Sequence, residues 1–336
     1  MTSQGLPFGS RDLDPAIQVD SLDCNKVRCF VRGCQHLVRR PTRHAEGEAC
    51  PHHGIYCHYS YGRPTYRFAD VRRNIIASPD LFAERIVNHP FKFESNRMGA
   101  ENSEDALTWN VFRSIAEMKQ LATVASQLLG ETSTQPPRLY LWGIRVDDDS
   151  FEPWDLLIAA RRQFESHLPV KRPYTEPDIS LYLPGQYLVL IEAKFTSPNP
   201  VYEQGPRKDS QSLTLAELLD IYCRPELRTL NYALARTRPR VHYQLWRNMV
   251  FAEWMAREDG PGVRPFHLNL VRHGSELQST GEFAELLRPD YRNRFRRITW
   301  ESLVTSLEPA SEQGRHVLQY AQTKTACLRT AFSSHS

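Results

Sequence analysis

Apolar positions along the chain switch between two periods, and the switch points divide it into elements. In SEDALTWNVFRSIAEMKQLATVASQLLG (103–130), Leu107, Val111, Ile115, Met118, Ala122 and Ala125 recur at steps of three and four. That spacing predicts one long helix with Ser103 at its N-cap, stopped by Gly130 and ETSTQPP. The period then shortens. RLYLWGIRV (138–146) reads as a strand, an acidic loop follows at Asp147 to Asp149, and DLLIAARRQFESH (155–167) returns to helical spacing. EPDISLYLPGQYLVLIEAKF (176–195) holds two strands around a turn at Leu183-Pro184-Gly185. The first strand alternates, with Ile179, Leu181 and Leu183 on one side. The second is apolar throughout, as a strand covered on both faces would be, which predicts a central position.

Downstream, NPVYEQGPRKDSQ (199–211) reads as a loop, while SLTLAELLDIYC (212–223) and VHYQLWRNMVFAEWMARE (241–258) read as helices. PFHLNLVRHG (265–274) is a further strand, and residues 283–307 close the core, with a short helix expected after 309. Helix, strands, helix, strand is the order of a sheet flanked by helices, so the expected class is α/β. Five of the seven cysteines fall between Cys24 and Cys57 and mark a separate module. The expected organisation is a tail at 1–23, a zinc-binding module at 24–68, the main domain at 69–308 and a C-terminal tail at 309–336.

Composition narrows the class further. No run approaches the roughly 18 apolar residues of a membrane span. The N-terminus also lacks the basic and apolar regions of a secretory signal, so a cytoplasmic location with reduced cysteines is expected. A net charge of +3 does not by itself announce a nucleic-acid partner. The basic residues are mostly arginine and occur in clusters such as Arg39-Arg40 and Arg292 to Arg297. Arginine clamps phosphate with a planar fork, although any one cluster can equally be a solvated face.

The chemistry concentrates in 176–195. Glu192 and Lys194 are two residues apart on a strand and point to the same face, and the hairpin folds Asp178 back beside them. Two adjacent carboxylates repel unless a cation sits between them, and hard oxygen donors suit Mg²⁺ or Mn²⁺. A lysine beside such a site can orient or deprotonate a water that attacks phosphorus. The matching reaction is metal-dependent phosphodiester hydrolysis; the competing reading is a structural salt bridge at a strand end.

Pro177-Asp178, a gap of 13 residues, and Glu192-Ala193-Lys194 together resemble the PD-(D/E)XK motif of the restriction-endonuclease-like nuclease superfamily. The resemblance covers about 95–307 and implies a restriction-endonuclease-like core, a central mixed sheet flanked by helices, that cuts DNA. Within the superfamily the chain is most similar to bacterial proteins that carry an N-terminal cysteine cluster, some linked to restriction or phage defence. A double-strand cut needs two active sites where a nick needs one, so a homodimer or an assembly with partner defence proteins is expected. By the same resemblance, Glu104 on the preceding helix completes the metal site and Gln244 on the following helix borders it. Arg247, three residues on, shares that helix face and can hold a phosphate. For all three the plainer reading is a helix with acidic residues in its first turn or polar residues facing water.

CFVRGCQHLVRRPTRHAEGEACPHHGIYCH (29–58) spaces thiols and imidazoles in pairs. Cys29, Cys34, Cys50 and His53 are the most natural ligands of a structural, tetrahedral Zn²⁺, with Cys57 competing for the last place and a set shifted to Cys24 still open. Free buried cysteines with surface histidines are the alternative. Interleaved arginines, Arg39 and Arg40 among them, suit DNA phosphates or a partner protein. No GxxxxGK[ST], GxSxG or HExxH pattern occurs, so motor and other hydrolase chemistries lose support. The second functional hypothesis is a non-enzymatic adaptor that binds nucleic acid or protein through the zinc module; action on RNA is a third.

Overall fold

The computed structural model describes residues 12, 26–39, 47–60, 63–92, 98–133, 135–166, 168, 175–205, 213–307 and 311–321. The chain divides into two compact units, Met1–Ser114 with Val304–Ser336, and Ile115–Leu303. Cys24 and Arg40 lie outside the described residues.

In the first unit, β1 (Lys26–Arg28) pairs antiparallel with β2 (Leu37–Arg39), and β3 (Ile55–Ser60) with β4 (Arg63–Phe68). Phe30, Val38, Ile55, Tyr66 and Phe68 pack around three cysteines into a small apolar cluster. Helix α1 (Pro79–Arg85) follows, and α2 (Glu104–Glu117) begins in this unit. As expected, Ser103 caps α2, its Oγ accepting from the Ala106 N–H at 3.1 Å. A helix over 312–321 comes near the end of the chain.

The long helix expected over 103–130 is in fact two. The chain leaves the helical path at Lys119, whose φ of 58° lies in the left-handed region, and resumes as α3 (Leu121–Leu129). A single left-handed residue between two amphipathic stretches leaves the three-and-four spacing intact, so periodicity alone does not reveal it. Gly130, at φ 65°, ends α3 where the sequence places the stop.

In the second unit β5 (Arg138–Leu141) and β6 (Ile144–Arg145) are a hairpin, not the single strand expected over 138–146. Trp142 and Gly143, at φ 55° and 84°, form its two-residue turn. A Cβ at Gly143 would stand 2.6 Å from Leu157 Cδ2, so a side chain there would have to displace Leu157 as well as adopt a left-handed φ. The chain continues through α4 (Asp155–Glu165), β7 (Ile179–Leu183), β8 (Tyr187–Ala193), β9 (Val201–Glu203), α5 (Leu215–Tyr222), α6 (Tyr232–Thr237), β10 (Arg240–His242) and α7 (Tyr243–Asp259). β11 (Arg264–Val271), α8 (Leu277–Glu285), β12 (Phe295–Thr299) and α9 (Trp300–Thr305) follow.

Six strands form the mixed central sheet, in the order β12-β11-β8-β7-β5-β6. β8, β11 and β12 run parallel; β7 pairs antiparallel with β8 and β5, and β6 antiparallel with β5. β8 is interior and buried along its whole length, as its unbroken apolar run predicts. β7 is buried on both faces too, because Ser180 and Tyr182, which alternate with its aliphatic residues, are also covered.

A parallel neighbour cannot be reached by a tight turn, and α7 lies on the crossover from β8 to β11 and packs on both strands. Trp246, Met249, Val250 and Phe251 on α7 join Tyr140, Tyr182, Leu188 and Leu190 of the sheet in one core. Replacing one of its large aromatics, such as Phe251, by alanine would cost about 3–5 kcal/mol. This α/β core therefore holds the carboxyl ends of β8 and β11 against α7. Among the described residues no helix is long and apolar enough to cross a membrane.

Candidate active site and metal cluster

Residues of opposite charge meet where β8 ends. Glu192 and Lys194 project to one face, as their spacing requires, and Lys194 Nζ lies 2.6 Å from Glu192 Oε1 with side-chain exposures of 8% and 3%. At such low exposure, charge that is not compensated by a close partner is costly. Asn248 of α7 supplies further compensation, donating from Nδ2 to Glu192 Oε2 at 2.7 Å. Asp178 immediately precedes β7, and the register Ile179↔Ile191 returns it to the level of Glu192. Its Oδ2 accepts the Ala193 N–H at 2.8 Å, and its carbonyl accepts the Trp142 N–H at 3.2 Å. The hairpin thus brings Asp178, Glu192 and Lys194 together.

The first turns of α7 face this end of the sheet. Gln244 and Asn248 are one turn apart, and each carries a buried side-chain oxygen, Oε1 and Oδ1, without a hydrogen-bond partner. Arg247 Nε is also buried without one. Burial works against the Arg247 charge, but the phenols of Tyr243 and Tyr222 and the carboxylates of Glu165 and Glu192 outweigh it, so the guanidinium is held above its ordinary range. Buried polar atoms are nearly always paired, yet these three and Trp246 Nε1, on the core-facing side of the helix, are four orphans within five residues.

Two further residues of this site escape sequence reasoning. For Asn248 the available signal is a polar amide in the otherwise apolar run NMVFA. Asn269 is similarly inconspicuous. It lies opposite Glu192 in the β11–β8 register, is fully buried, and accepts from Asn199 Nδ2 at 3.2 Å. On the same strand, His267 places Nδ1 2.9 Å from the Leu190 carbonyl and must donate to it. Burial lowers its pKa to about 4, against the opposing pull of that carbonyl and of Glu192, so the ring is neutral. Glu104 stands in the first turn of α2, in the first unit.

A family model described as restriction endonuclease associating with ARP matches residues 37–323. The chain belongs to this restriction-endonuclease family. Comparisons with curated proteins and with solved structures found no match. The family span takes in the whole central sheet together with Asp178, Glu192, Lys194 and the polar face of α7.

This restriction-endonuclease family member also carries a second cluster, in its first unit. Cys29 follows β1 and Cys34 precedes β2, so the first pair sits at the tip of a hairpin whose turn includes Gly33 at φ 79°. Cys50 and His53 occupy the turn before β3, where Gly54, at φ 61°, donates its N–H to the Cys50 carbonyl at 2.8 Å. The three sulfurs and one imidazole nitrogen all lie within 4.8 Å of one another, close enough to bind one metal ion. Cys57 is buried in the apolar cluster and outside that group.

Burial, reinforced by the Cys50 and Cys34 sulfurs, pushes the Cys29 thiol up to about 12. Cys50 is held below the ordinary thiol range because, against burial, the backbone N–H groups of His52 and His53 favour its thiolate. Three thiols and an imidazole around one point suit tetrahedral zinc. Arg73 braces the second pair by donating to the His53 carbonyl at 3.0 Å. Arg39 is exposed at the end of β2. The family match begins after Cys29 and Cys34 and includes Cys50 and His53.

Proposed function

We propose that this chain is a divalent-metal-dependent deoxyribonuclease of the PD-(D/E)XK kind, with a structural zinc in its N-terminal module. The observation that carries the reading is the convergence of Asp178, Glu192 and Lys194 beside unpartnered polar atoms of α7. The donors are hard oxygens, which fit Mg²⁺ or Mn²⁺ held by Asp178 and Glu192. The cation supplies charge that stabilises the phosphorane-like transition state.

Lys194, charged opposite Glu192, orients the attacking water and favours its hydroxide form, the proton passing to solvent, and Gln244 and Asn248 offer acceptors to water or substrate hydroxyls. Arg247 grips a non-bridging phosphate oxygen with its in-plane N–H groups. Arg39 and Arg40 add backbone contacts from the zinc module, and the proposed setting is restriction or phage defence in the cytoplasm. Cutting both strands of a duplex calls for two active sites, hence a homodimer or a partner assembly.

A test incubates the purified chain with supercoiled plasmid and Mg²⁺ or Mn²⁺, beside Asp178→Ala and Lys194→Ala. Nicking or linearisation by wild type alone supports the nuclease. One observation favours the adaptor instead: Lys194 and Asn248 already satisfy Glu192 as a closed structural set. An adaptor would bind DNA or protein without divalent cations and keep that binding in Lys194→Ala.

A further inference from the structure

One buried carboxylate of the second unit plays no part in that chemistry. Glu165, at the end of α4, is 1% exposed and has no ion-pair partner among the described residues. Its Oε2 accepts the Thr175 N–H at 2.8 Å, and its Oε1 accepts the Thr175 hydroxyl and, at 2.8 Å, the Tyr222 hydroxyl. A phenol has one proton to give. Because Tyr222 spends it on Glu165, the 3.0 Å contact between the hydroxyls of Tyr222 and Tyr243 must have Tyr243 as donor. The hydrogen bonds therefore run in one direction, from Tyr243 through Tyr222 to the carboxylate. Burial, with Tyr243 and Glu165 adding to it, holds the Tyr222 phenol well above its ordinary range, so it keeps its proton.

At the outer end of this chain the Tyr243 ring centroid lies 5.0 Å from the Arg247 guanidinium carbon. A ring whose hydroxyl donates into a chain of hydrogen bonds that ends on an anion carries a more negative face, and that face attracts a cation. The arrangement differs from a direct Arg–Glu pair in one consequential way. A carboxylate would occupy the planar fork of the guanidinium, whereas a ring leaves the in-plane N–H donors unspent. Arg247 makes no hydrogen bond or ion pair with the described residues, consistent with donors held in reserve. The same carboxylate also fixes Thr175, three residues before Asp178, and the Thr175 carbonyl in turn accepts from Arg161 Nε at 2.7 Å.

We propose that Glu165, Tyr222 and Tyr243 are a positioning relay that holds Arg247 ready for a DNA phosphate while fixing the segment that leads to Asp178. The inference rests on the nuclease reading for its substrate. It does not depend on cleavage.

The test measures duplex DNA affinity against salt concentration, with chelator and no divalent cation, for wild type, Arg247→Ala, Tyr222→Phe and the double variant. Each phosphate contact contributes about 0.9 to the slope of log affinity against log salt. Arg247→Ala should lower the slope by about 1. Tyr222→Phe keeps the ring and its packing and removes only the hydroxyl; it should lose the same increment, and the double variant should lose no more. Arg247→Lys should keep part of the slope that Arg247→Ala loses.

If Tyr222→Phe lowers only the melting temperature and keeps the wild-type slope, the relay is structural and the inference fails. It fails also if Arg247→Ala keeps the slope, even where plasmid cleavage stands. Absence of DNA binding by wild type would instead remove the nuclease reading, and this inference with it.

Discussion

The two clusters use opposite kinds of donor and leave opposite kinds of remainder. Around Cys29, Cys34, Cys50 and His53 the donors are soft and converge on one point, with backbone turns closing behind them. Four such ligands fill a tetrahedral shell, so a metal there has no position left for a substrate. Around Asp178 and Glu192 the donors are hard oxygens, already engaged by Lys194, Asn248 and the Ala193 N–H, with unpartnered atoms on α7 beside them. The first arrangement replaces a core that its short strands cannot provide. The second uses the stability of a large core to hold charges that would otherwise be solvated or neutralised.

The largest effect that would overturn this contrast is on zinc. Metal binding by small zinc modules contributes about 10–16 kcal/mol, so wild type should carry one zinc per chain by elemental analysis, and Cys50→Ser should lose it. Proteolysis at β1 to β4 should accompany the loss; zinc retained without Cys50 would show that the four atoms are not the ligands.

Next comes Lys194→Met, which leaves Glu192 buried without its countercharge. A stability loss of about 3–5 kcal/mol is expected in urea unfolding, with cleavage lowered by about 100-fold or more. Mg²⁺ should recover more stability in this variant than in wild type if Glu192 is a metal ligand. Equal recovery in both would favour a purely structural pair.

His267 gives a smaller, pH-dependent effect. Its pKa is about 4 in the folded chain against 6.5 ordinarily, so between those values the unfolded chain holds a proton that the folded chain refuses. Stability should fall as pH falls from 6.5 to 4, by on the order of 3 kcal/mol at most, and His267→Leu should flatten that slope. Urea melts at pH 7 and pH 5 on both chains decide it.

The smallest effect belongs to Glu282 on α8. Arg240 and, against burial, His242 and Gln278 hold its carboxyl down to about 2. Stability from this group is present above about 4.5 and is lost as pH falls toward 2. The pair is partly exposed, so the amount should stay below about 1 kcal/mol and shrink further in salt. Arg240→Gln should remove it, and an effect of several kcal/mol would show that surface and buried charges here are not distinct in kind.

Much of this contrast is legible in the amino-acid sequence. The apolar run of YLVLI puts β8 inside the sheet, and the two-residue step from Glu192 to Lys194 puts both on one face. The paired spacing puts Cys29, Cys34, Cys50 and His53 first among the candidates, with Cys57 and Cys24 still open, and the structure brings that first set together. Other features are not legible there. The break at Lys119 and the hairpin turn at Trp142 are single left-handed residues or pairs inside otherwise continuous patterns. Asn248 and Asn269 look like isolated polar residues in apolar runs, and their partners lie 56 and 70 residues away in sequence.

Side-chain periodicity and short covalent spacing act locally. They suffice for the α/β class, for most of the order of elements, for the hairpin that returns Asp178 to Glu192, and for a short set of candidate thiols and imidazoles. Long-range packing settles the rest: that Asn248 bonds Glu192, that Arg247 rests on a ring rather than on a carboxylate, and that Glu165 is buried among hydroxyls. Each of these depends on which faces of α4, α5 and α7 meet their neighbours, and that choice is made by the packing of the whole core.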